Sequence, residues 1–370
     1  MAEAERSTAT PQSSPRAGLG EIPLSSHRPQ EGADLALFAE ALAARLPGSW
    51  TAVTHDHTAN PLAFPLSGRV WDNGHLSRAY ARTILRQDAV LTSDRGSELV
   101  VVDRPRRRHE FLVATLAPRG INVTDAVEAP DGVVVSADPA RAASTVADRL
   151  IPRYAQAVHQ ARIEHLAVAL AAGEHVLAEW DAVSNSLCDA DHWPLDDRYG
   201  LRQQQRDSEM WAQFAPFLDY GPALLAHAEE TLPLLDPTGP DAGRWRYRLR
   251  VLSDTLDAGA QVEANLQFVA DALVPDHPGA KEVFDRAIAE RNAEGWDCAL
   301  TWMDNAGALV DLARAEQRLG RSPKGLKQSA QAGTARARSP LASRKSAAAT
   351  KESAPRRGDL PGYDRRPRSR

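Results

Sequence analysis

The sequence predicts an α+β fold: an N-terminal domain with a small, mainly antiparallel sheet, then a mainly α-helical bundle, with disordered termini. Short runs of β-branched residues, separated by turn residues, occur in the first half of the chain. Stripes of apolar residues three to four positions apart occur through most of the second half. Both ends are rich in serine and proline and show no hydrophobic period. We therefore predict four segments: disorder over 1–33, a small α/β domain over 34–160, an acidic helical bundle over 161–320 and a basic disordered tail over 321–370.

The N-terminal domain begins with helix signals. Asp34 is suited to cap a helix whose apolar residues recur on one face, and Pro47-Gly48 ends that helix. A short strand is predicted over 50–54. A second helix is predicted over 73–88, where large apolar residues recur every four positions.

Four runs of β-branched and apolar residues then predict strands. They cover 89–92, 98–102, 110–116 and 132–135. The second and third runs are joined only by residues 103–109, which favours an antiparallel hairpin with a charged tip. The runs are too close for helical crossovers, so we expect a mainly antiparallel sheet.

The rest of the chain is predicted to be almost wholly helical. Asp138-Pro139 is a helix start, because the aspartate accepts from free N–H groups and the proline has no N–H to leave unpaired. Pro152 lies inside the stripe that follows, so we expect it to kink or split that helix. Glycine and proline then separate four helices, the second of which Pro216 and Pro222 are expected to break. The four cover about 160–188, 200–234, 241–274 and 279–319.

Charge is unevenly distributed, although the net charge is only −5. Residues 161–320 hold 13 basic and 28 acidic residues, whereas residues 321–370 hold 14 and 3. An acidic segment of charge −15 is therefore followed by a basic tail of +11, an asymmetry typical of an interaction tail. Only five of the 44 positively charged residues are lysine, a bias that suggests a GC-rich genome, and we expect a bacterial one.

Composition excludes several classes of protein. No run reaches the roughly 18 apolar residues of a membrane helix, so we expect no membrane partner. The first residues carry acids and no apolar run, which argues against a secretory signal and for a cytoplasmic location. Two cysteines exclude a disulfide scaffold and a four-cysteine zinc site. The sequence lacks a phosphate-binding loop, a dinucleotide fingerprint and a nucleophile elbow, and we predict no cofactor.

The tip of the predicted hairpin is a candidate nucleic-acid contact. Four guanidinium groups within five residues repel one another unless an anion or an acidic surface lies nearby, and phosphate accepts bidentate bonds from guanidinium. The alternative is a solvated tip whose positive charge is neutralised by Asp103 and Glu110. The four are Arg104, Arg106, Arg107 and Arg108.

The tail carries further candidate nucleic-acid contacts in small basic clusters. Such spacing suits a polymeric anion, because phosphate neutralisation releases counterions and needs no fixed geometry. The alternatives are a tail without function and a tail that binds an acidic protein surface, including the predicted bundle of this same chain. The clustered residues are Arg336, Arg338, Arg344, Lys345, Arg356, Arg357, Arg365 and Arg366.

Two groups of residues are candidate metal ligands. His55 and His57 are alternate residues at the end of a predicted strand, so both imidazoles can face one ion. Cys188, Asp191 and His192 lie within five residues and could bind a divalent ion. In each case the favoured alternative is structural: an exposed strand end for the first group, and a turn at a helix end for the second.

We weigh three functions from these patterns. The leading hypothesis is a non-enzymatic accessory or adaptor protein that contacts a protein partner through its folded domains and nucleic acid, without sequence preference, through its tail and hairpin. The second is an enzyme of unknown class, metal-dependent or not, with a site between the α/β domain and the helical bundle. The third is a pure protein–protein module. The sequence does not predict an oligomeric state.

Overall fold

A computed structural model shows the predicted fold class: an N-terminal antiparallel sheet followed by helices. The chain divides into two compact units, Met1–Ala172 and Gly173–Arg370, which are described separately. The predicted boundary between residues 160 and 161 falls inside a helix and stays a prediction. The predicted disorder over 1–33 and beyond Arg321 lies outside the described residues. The structure describes residues 34–58, 66, 68–80, 84–107, 109–121, 123, 127–235, 240–274 and 277–321.

The N-terminal unit is built on a sheet of antiparallel strands. The strands are β1 (Trp50–Asp56), β2 (Val70–Trp71), β3 (Gln87–Ser93), β4 (Glu98–Asp103), β5 (Glu110–Leu116) and β6 (Val133–Ser136). Their order is β1-β3-β4-β5, and the far edge of β5 pairs with β2 near its end and with β6 near its start. Asp103 pairs with Phe111, which confirms the predicted hairpin between β4 and β5.

Both faces of the central strands are buried, which explains why these strands are almost continuously apolar rather than alternating. On one face, α1 (Leu35–Ala43) packs on the sheet, and Phe38 stacks on Phe111 with ring centroids 3.9 Å apart. On the other face, Val100 and Val102 pack in a cluster with Leu76 of α2 (His75–Tyr80). The predicted cap of α1 is confirmed, since the Asp34 carboxylate accepts from the N–H groups of residues 36 and 37.

The prediction of one helix over 73–88 is wrong. The helix ends at Tyr80, and Gln87 already begins β3. Residues 87–93 pair with β1, and residues 89–92 of the same strand pair with β4. The hydrogen bonds to both neighbouring strands and the burial of β3 favour a strand here over a helix. The helix prediction depended on the spacing of a few apolar residues, one of which, Ile84, is exposed.

Pro152 changes the type of helix rather than ending it. The helix α3 (Pro139–Thr145) starts at the predicted Asp138 cap and passes through a π-helical turn, Val146–Leu150, into α4 (Ile151–Ser184). Because proline has no N–H and its ring clashes with the carbonyl four residues before it, the backbone around residue 148 must adjust. A single π turn is a recognised way to do so, and the predicted disturbance at Pro152 is confirmed in this form.

The C-terminal unit contains a helical bundle. Its helices after α4 are α5 (Arg198–Leu235), α6 (Pro240–Ala272), α7 (Ala280–Glu294) and α8 (Trp296–Arg321). Helices α5, α6 and α8 pack against one another, and α7 packs on α5 and α6. Phe214, Phe217 and Trp302 form the centre of the bundle, with ring centroids 5.9–6.5 Å apart. No helix within the described ranges combines the length and the apolar character that a membrane crossing requires.

Two helix boundaries in this unit differ from prediction. Helix α5 is one piece despite Pro216 and Pro222, because a buried face that runs from Met210 to Leu232 holds it against its neighbours. The predicted helix over 279–319 is two helices that meet at Gly295. A side chain at Gly295 would overlap the indole of Trp211, so glycine permits the close approach there.

An arginine is held between two aromatic rings in the same unit. The Arg206 guanidinium carbon lies 4.5 Å from the ring centroid of Trp180 and 3.6 Å from that of Trp296. Its Nη2 donates to the buried carboxylate of Asp207 at 2.6 Å. A flat cation fits this slot because guanidinium stacks on aromatic faces while its edge donates to the carboxylate.

Two glycines of α6 provide a matched test of bundle packing. A Cβ at Gly259 would lie 2.7 Å from Phe214, whereas a Cβ at Gly243 would meet nothing within 4 Å. We expect Gly259→Ala to lower the free energy of unfolding by about 1–3 kcal/mol through overpacking. Gly243→Ala should leave it unchanged or raise it by up to about 1 kcal/mol through helix propensity. Urea denaturation followed by circular dichroism measures both, and an equal response of the two variants would contradict the packing described.

Candidate functional site

The tip of the β4–β5 hairpin is a turn with a defined backbone. The Arg104 N–H donates to the carbonyl of Glu110 at 3.0 Å, which closes the ladder beyond Asp103. The Arg107 N–H then donates to the carbonyl of Arg104 at 3.1 Å, and Arg106 has a left-handed φ of 65°. The tip is therefore held by backbone bonds, which leave its side chains free to point outward.

The charges of the tip are only partly neutralised. Arg104 is half-buried and pairs with Glu110. Arg106 and Arg107 are exposed, and no carboxylate of a described residue lies within 4 Å of either guanidinium. Glu110 therefore neutralises the charge of Arg104, one of the predicted contact residues. Arg108 lies outside the described residues, as does every predicted contact residue of the tail.

His55 of β1 and His57, which follows the strand, do share a face, and the structure places a buried carboxylate between them. The Nδ1 atom of His55 lies 2.9 Å from Oδ1 of Asp88, and His57 Nε2 makes a short contact with the other oxygen, Oδ2. Asp88 is fully buried and is the register partner of His55 on β3. The backbone fixes His57 as well, because its N–H donates to the carbonyl of Arg86 at 2.7 Å.

This arrangement gives the two imidazoles a common hydrogen-bond partner rather than an open ligand set. No three side chains that include both histidines place their possible ligand atoms mutually within 4.8 Å, among the residues that the structure describes. A metal ion at His55 and His57 stays a prediction.

The second metal candidate lies in the exposed turn between α4 and α5. Asp189 organises this turn: its Oδ1 accepts the N–H groups of Asp191 and Trp193, each at 2.9 Å. His192 has a left-handed φ of 63°, and Cys188 pairs with Pro194 in an isolated bridge. These contacts give the acidic and turn residues of this segment a structural role. Metal binding by Cys188, Asp191 and His192 stays a prediction.

Sequence reasoning missed a charged cluster at the start of β4. Glu98 is only 3% exposed. Arg119 donates through Nη2 to Oε1 of Glu98 at 2.7 Å, and Arg69 donates to Oε2. Arg69 is 29 residues and Arg119 is 21 residues away from Glu98 in the chain, so no local motif connects them. The available signal was an acid at the edge of an apolar run.

Burial and charge oppose each other at Glu98. Burial by itself would raise the pKa of this carboxyl group. The hydrogen bonds and charges of Arg119 and Arg69 outweigh that effect, so the pKa lies below its ordinary value of 4.5. The carboxylate is therefore ionised at neutral pH, and it orients both guanidinium groups.

Comparisons of the chain with protein-family models, with curated proteins and with solved structures return no match. Any function of this chain is therefore argued from its own residues and their geometry.

The lowered pKa of Glu98 predicts how stability depends on pH. A depressed carboxyl pKa stabilises the fold above the unfolded value, near 4.5, and this contribution is lost as pH falls through the lower folded value. At pH 7 we expect Glu98→Gln to lower the free energy of unfolding by about 3 kcal/mol, because two arginines lose their counter-charge. The deficit should shrink steadily as pH falls below 4.5. Urea denaturation across that range measures it.

The control for this experiment is the exposed Glu40 of α1, which should show a much smaller deficit as Glu40→Gln at every pH. A Glu98→Gln deficit that stays constant down to acid pH would show that the arginine contacts do not act through the charge of the carboxylate.

Proposed function

We propose that this protein is a non-enzymatic accessory or adaptor protein that contacts nucleic acid without sequence preference and binds a protein partner. The single observation that supports it most is the hairpin tip, where Arg106 and Arg107 are exposed without a described carboxylate partner. Guanidinium groups presented on a short turn are suited to the regularly spaced phosphates of a polyanion. A bacterial, cytoplasmic setting is part of this proposal.

The tail would add affinity to the tip rather than specificity. Its charge of +11 over fifty residues favours contact with any polyanion. Screening limits such contacts to roughly 8 Å at physiological salt, so binding should weaken steeply as salt increases.

An apolar surface in the C-terminal unit supports the protein-partner half of the proposal. Trp193, Leu195 and Leu201 lie in and just after the α4–α5 turn and are 71%, 57% and 65% exposed. Large apolar side chains close together in the chain and open to water are typical of contact surfaces, and tryptophan is enriched among residues that dominate binding.

The nucleic-acid half is tested by salt-dependent binding of the full chain to a duplex DNA, read by fluorescence anisotropy. Each neutralised phosphate adds about 0.9 to the slope of log affinity against log salt. We expect Arg106→Gln/Arg107→Gln to reduce the slope by up to about 2 and to weaken binding equally for unrelated DNA sequences. Deletion of residues 322–370 should flatten the slope further.

Arg95 is the matched control, because it is an exposed arginine in the β3–β4 turn, at the opposite end of β4. Arg95→Gln should leave the slope unchanged. Absence of binding by the intact chain at low salt would refute the nucleic-acid half, and an equal loss in Arg95→Gln would refute the role of the tip.

A metal-dependent enzyme is the second candidate, favoured by the placement of His55 and His57 on one face, and an ion there would have to replace their hydrogen bonds to Asp88. It predicts that the purified protein carries a stoichiometric transition-metal ion, which elemental analysis would detect. The ion should be lost in His57→Ala and kept in His109→Ala, an exposed histidine at the hairpin tip. Equal metal content in the two variants would remove this candidate.

A further inference from the structure

A cavity in the N-terminal unit has the properties of a site for a small organic anion. It lies where β2 meets the end of β5 and has a volume of about 840 Å³. Small-molecule sites are typically about 300–1,000 Å³, so this cavity is large enough for a ligand of that class. Its walls include Arg69, Trp71, Arg119, Ile121, Val127 and Glu128.

The positive charge on one wall is not fully neutralised. Arg69 and Arg119 share a single carboxylate, that of the buried Glu98. These three side chains by themselves therefore carry a net charge of about +1, and an anion would complete the neutralisation of this cluster.

The two arginines also keep donors to spare. Arg119 uses Nε and Nη2 on Glu98, while Arg69 uses Nη2 on Glu98 and on the carbonyl of Ala117. Their remaining N–H groups make no hydrogen bond to any residue that the structure describes. Since Glu98 holds both side chains in place, a ligand meets donors that are already oriented, which lowers the entropy cost of binding.

The wall also holds two acidic side chains, Asp72 and Glu128, so an anion would have to bind at the two guanidinium groups rather than anywhere on the wall. Both oxygens of Asp72 accept backbone N–H groups, at 2.9 Å from Gly74 and 2.7 Å from Leu76. Glu128 is exposed, so water and salt screen its charge. Arg69, in contrast, is less than one-third exposed, and its field is screened less.

Part of the remaining wall is apolar. Trp71, Ile121 and Val127 are each almost fully buried and line the cavity. A ligand that contacts them would remove apolar surface from water, which is favourable in rough proportion to the area covered. The cavity therefore brings two guanidinium groups and three apolar side chains within reach of one ligand.

We propose that this cavity binds a small organic anion, whose carboxylate or phosphate group accepts from Arg69 and Arg119 and whose apolar body lies against Trp71, Ile121 and Val127. This site is separate from the hairpin tip and goes beyond the proposed contact with nucleic acid. It needs no residue of the tail.

Isothermal titration calorimetry of the full chain tests the proposal with two probes, 1-naphthyl phosphate and 1-naphthoate. They share the apolar body and distinguish a phosphate-selective site from a carboxylate-selective one. We expect at least one of them to bind with a dissociation constant below about 1 mM. Neutral 1-naphthol and inorganic phosphate should each bind at least about tenfold more weakly, since each lacks half of the interactions.

Two variants locate the binding. Arg119→Gln leaves Arg69 as the partner of Glu98, so the variant should fold with reduced stability and weaken binding about tenfold or more through the loss of a charged donor. Ala129→Phe places a ring in the cavity, keeps both arginines and should abolish binding. The matched control is Arg141→Gln: Arg141 is 85% exposed and likewise paired with one carboxylate, but it lies on α3 away from the cavity walls.

The outcomes separate this proposal from the proposed function. No heat of binding for either naphthyl anion up to about 5 mM, or equal affinity in Arg119→Gln and Arg141→Gln, would overturn the anion site and leave the DNA experiment unaffected. Loss of probe binding in Arg106→Gln/Arg107→Gln, with Arg119→Gln unchanged, would also overturn it by assigning the anion to the hairpin tip. Circular dichroism of each variant confirms that it is folded.

Discussion

The structure depends on neutralising carboxylates that the fold takes out of water. Glu98 and Asp88 in the sheet and Asp207 in the bundle are each less than 5% exposed. An ionised carboxylate in such a place is costly unless a partner supplies charge and hydrogen bonds. At Glu98 the partners come from outside its own strand, so the ion pairs tie β4 to the segments before β2 and after β5. At Asp88 the hydrogen-bond partners are His55, near the end of β1, and His57, just after it, so these contacts connect the edge strand to β3.

The sheet could be read from the sequence because its signals are local and agree with its packing. The strand at 110–116 was predicted with its observed bounds, and the hairpin to β4 follows from the few residues between them. Helix bounds were less secure where tertiary contacts decide. Helices α7 and α8 meet at Gly295, where a side chain would overlap Trp211. Helix α5 continues through Pro216 because its buried face is held on both sides of the proline.

The candidate sites also differ in whether their signals are local in the sequence or depend on tertiary contacts. The arginines of the hairpin tip were identifiable because they are adjacent in the chain, and alternation along a strand was enough to place His55 and His57 on one face. Their shared partner Asp88 could not be found, because it is more than thirty residues away and only strand register brings it near. The arginine cluster at Glu98 was missed for the same reason, and a cavity is a property of folded walls that no spacing of residues encodes.

The slot that holds Arg206 has a consequence for how this region can vary. The space between its two indole faces fits a flat group. The compact, strongly hydrated ammonium of lysine would lose both the stacking on the rings and the paired hydrogen bonds to Asp207. Equal charge is therefore no substitute for shape at this position. The slot is formed by side chains from three different helices: Trp180, Arg206 and Trp296. Replacement of any one of them removes contacts that the others make.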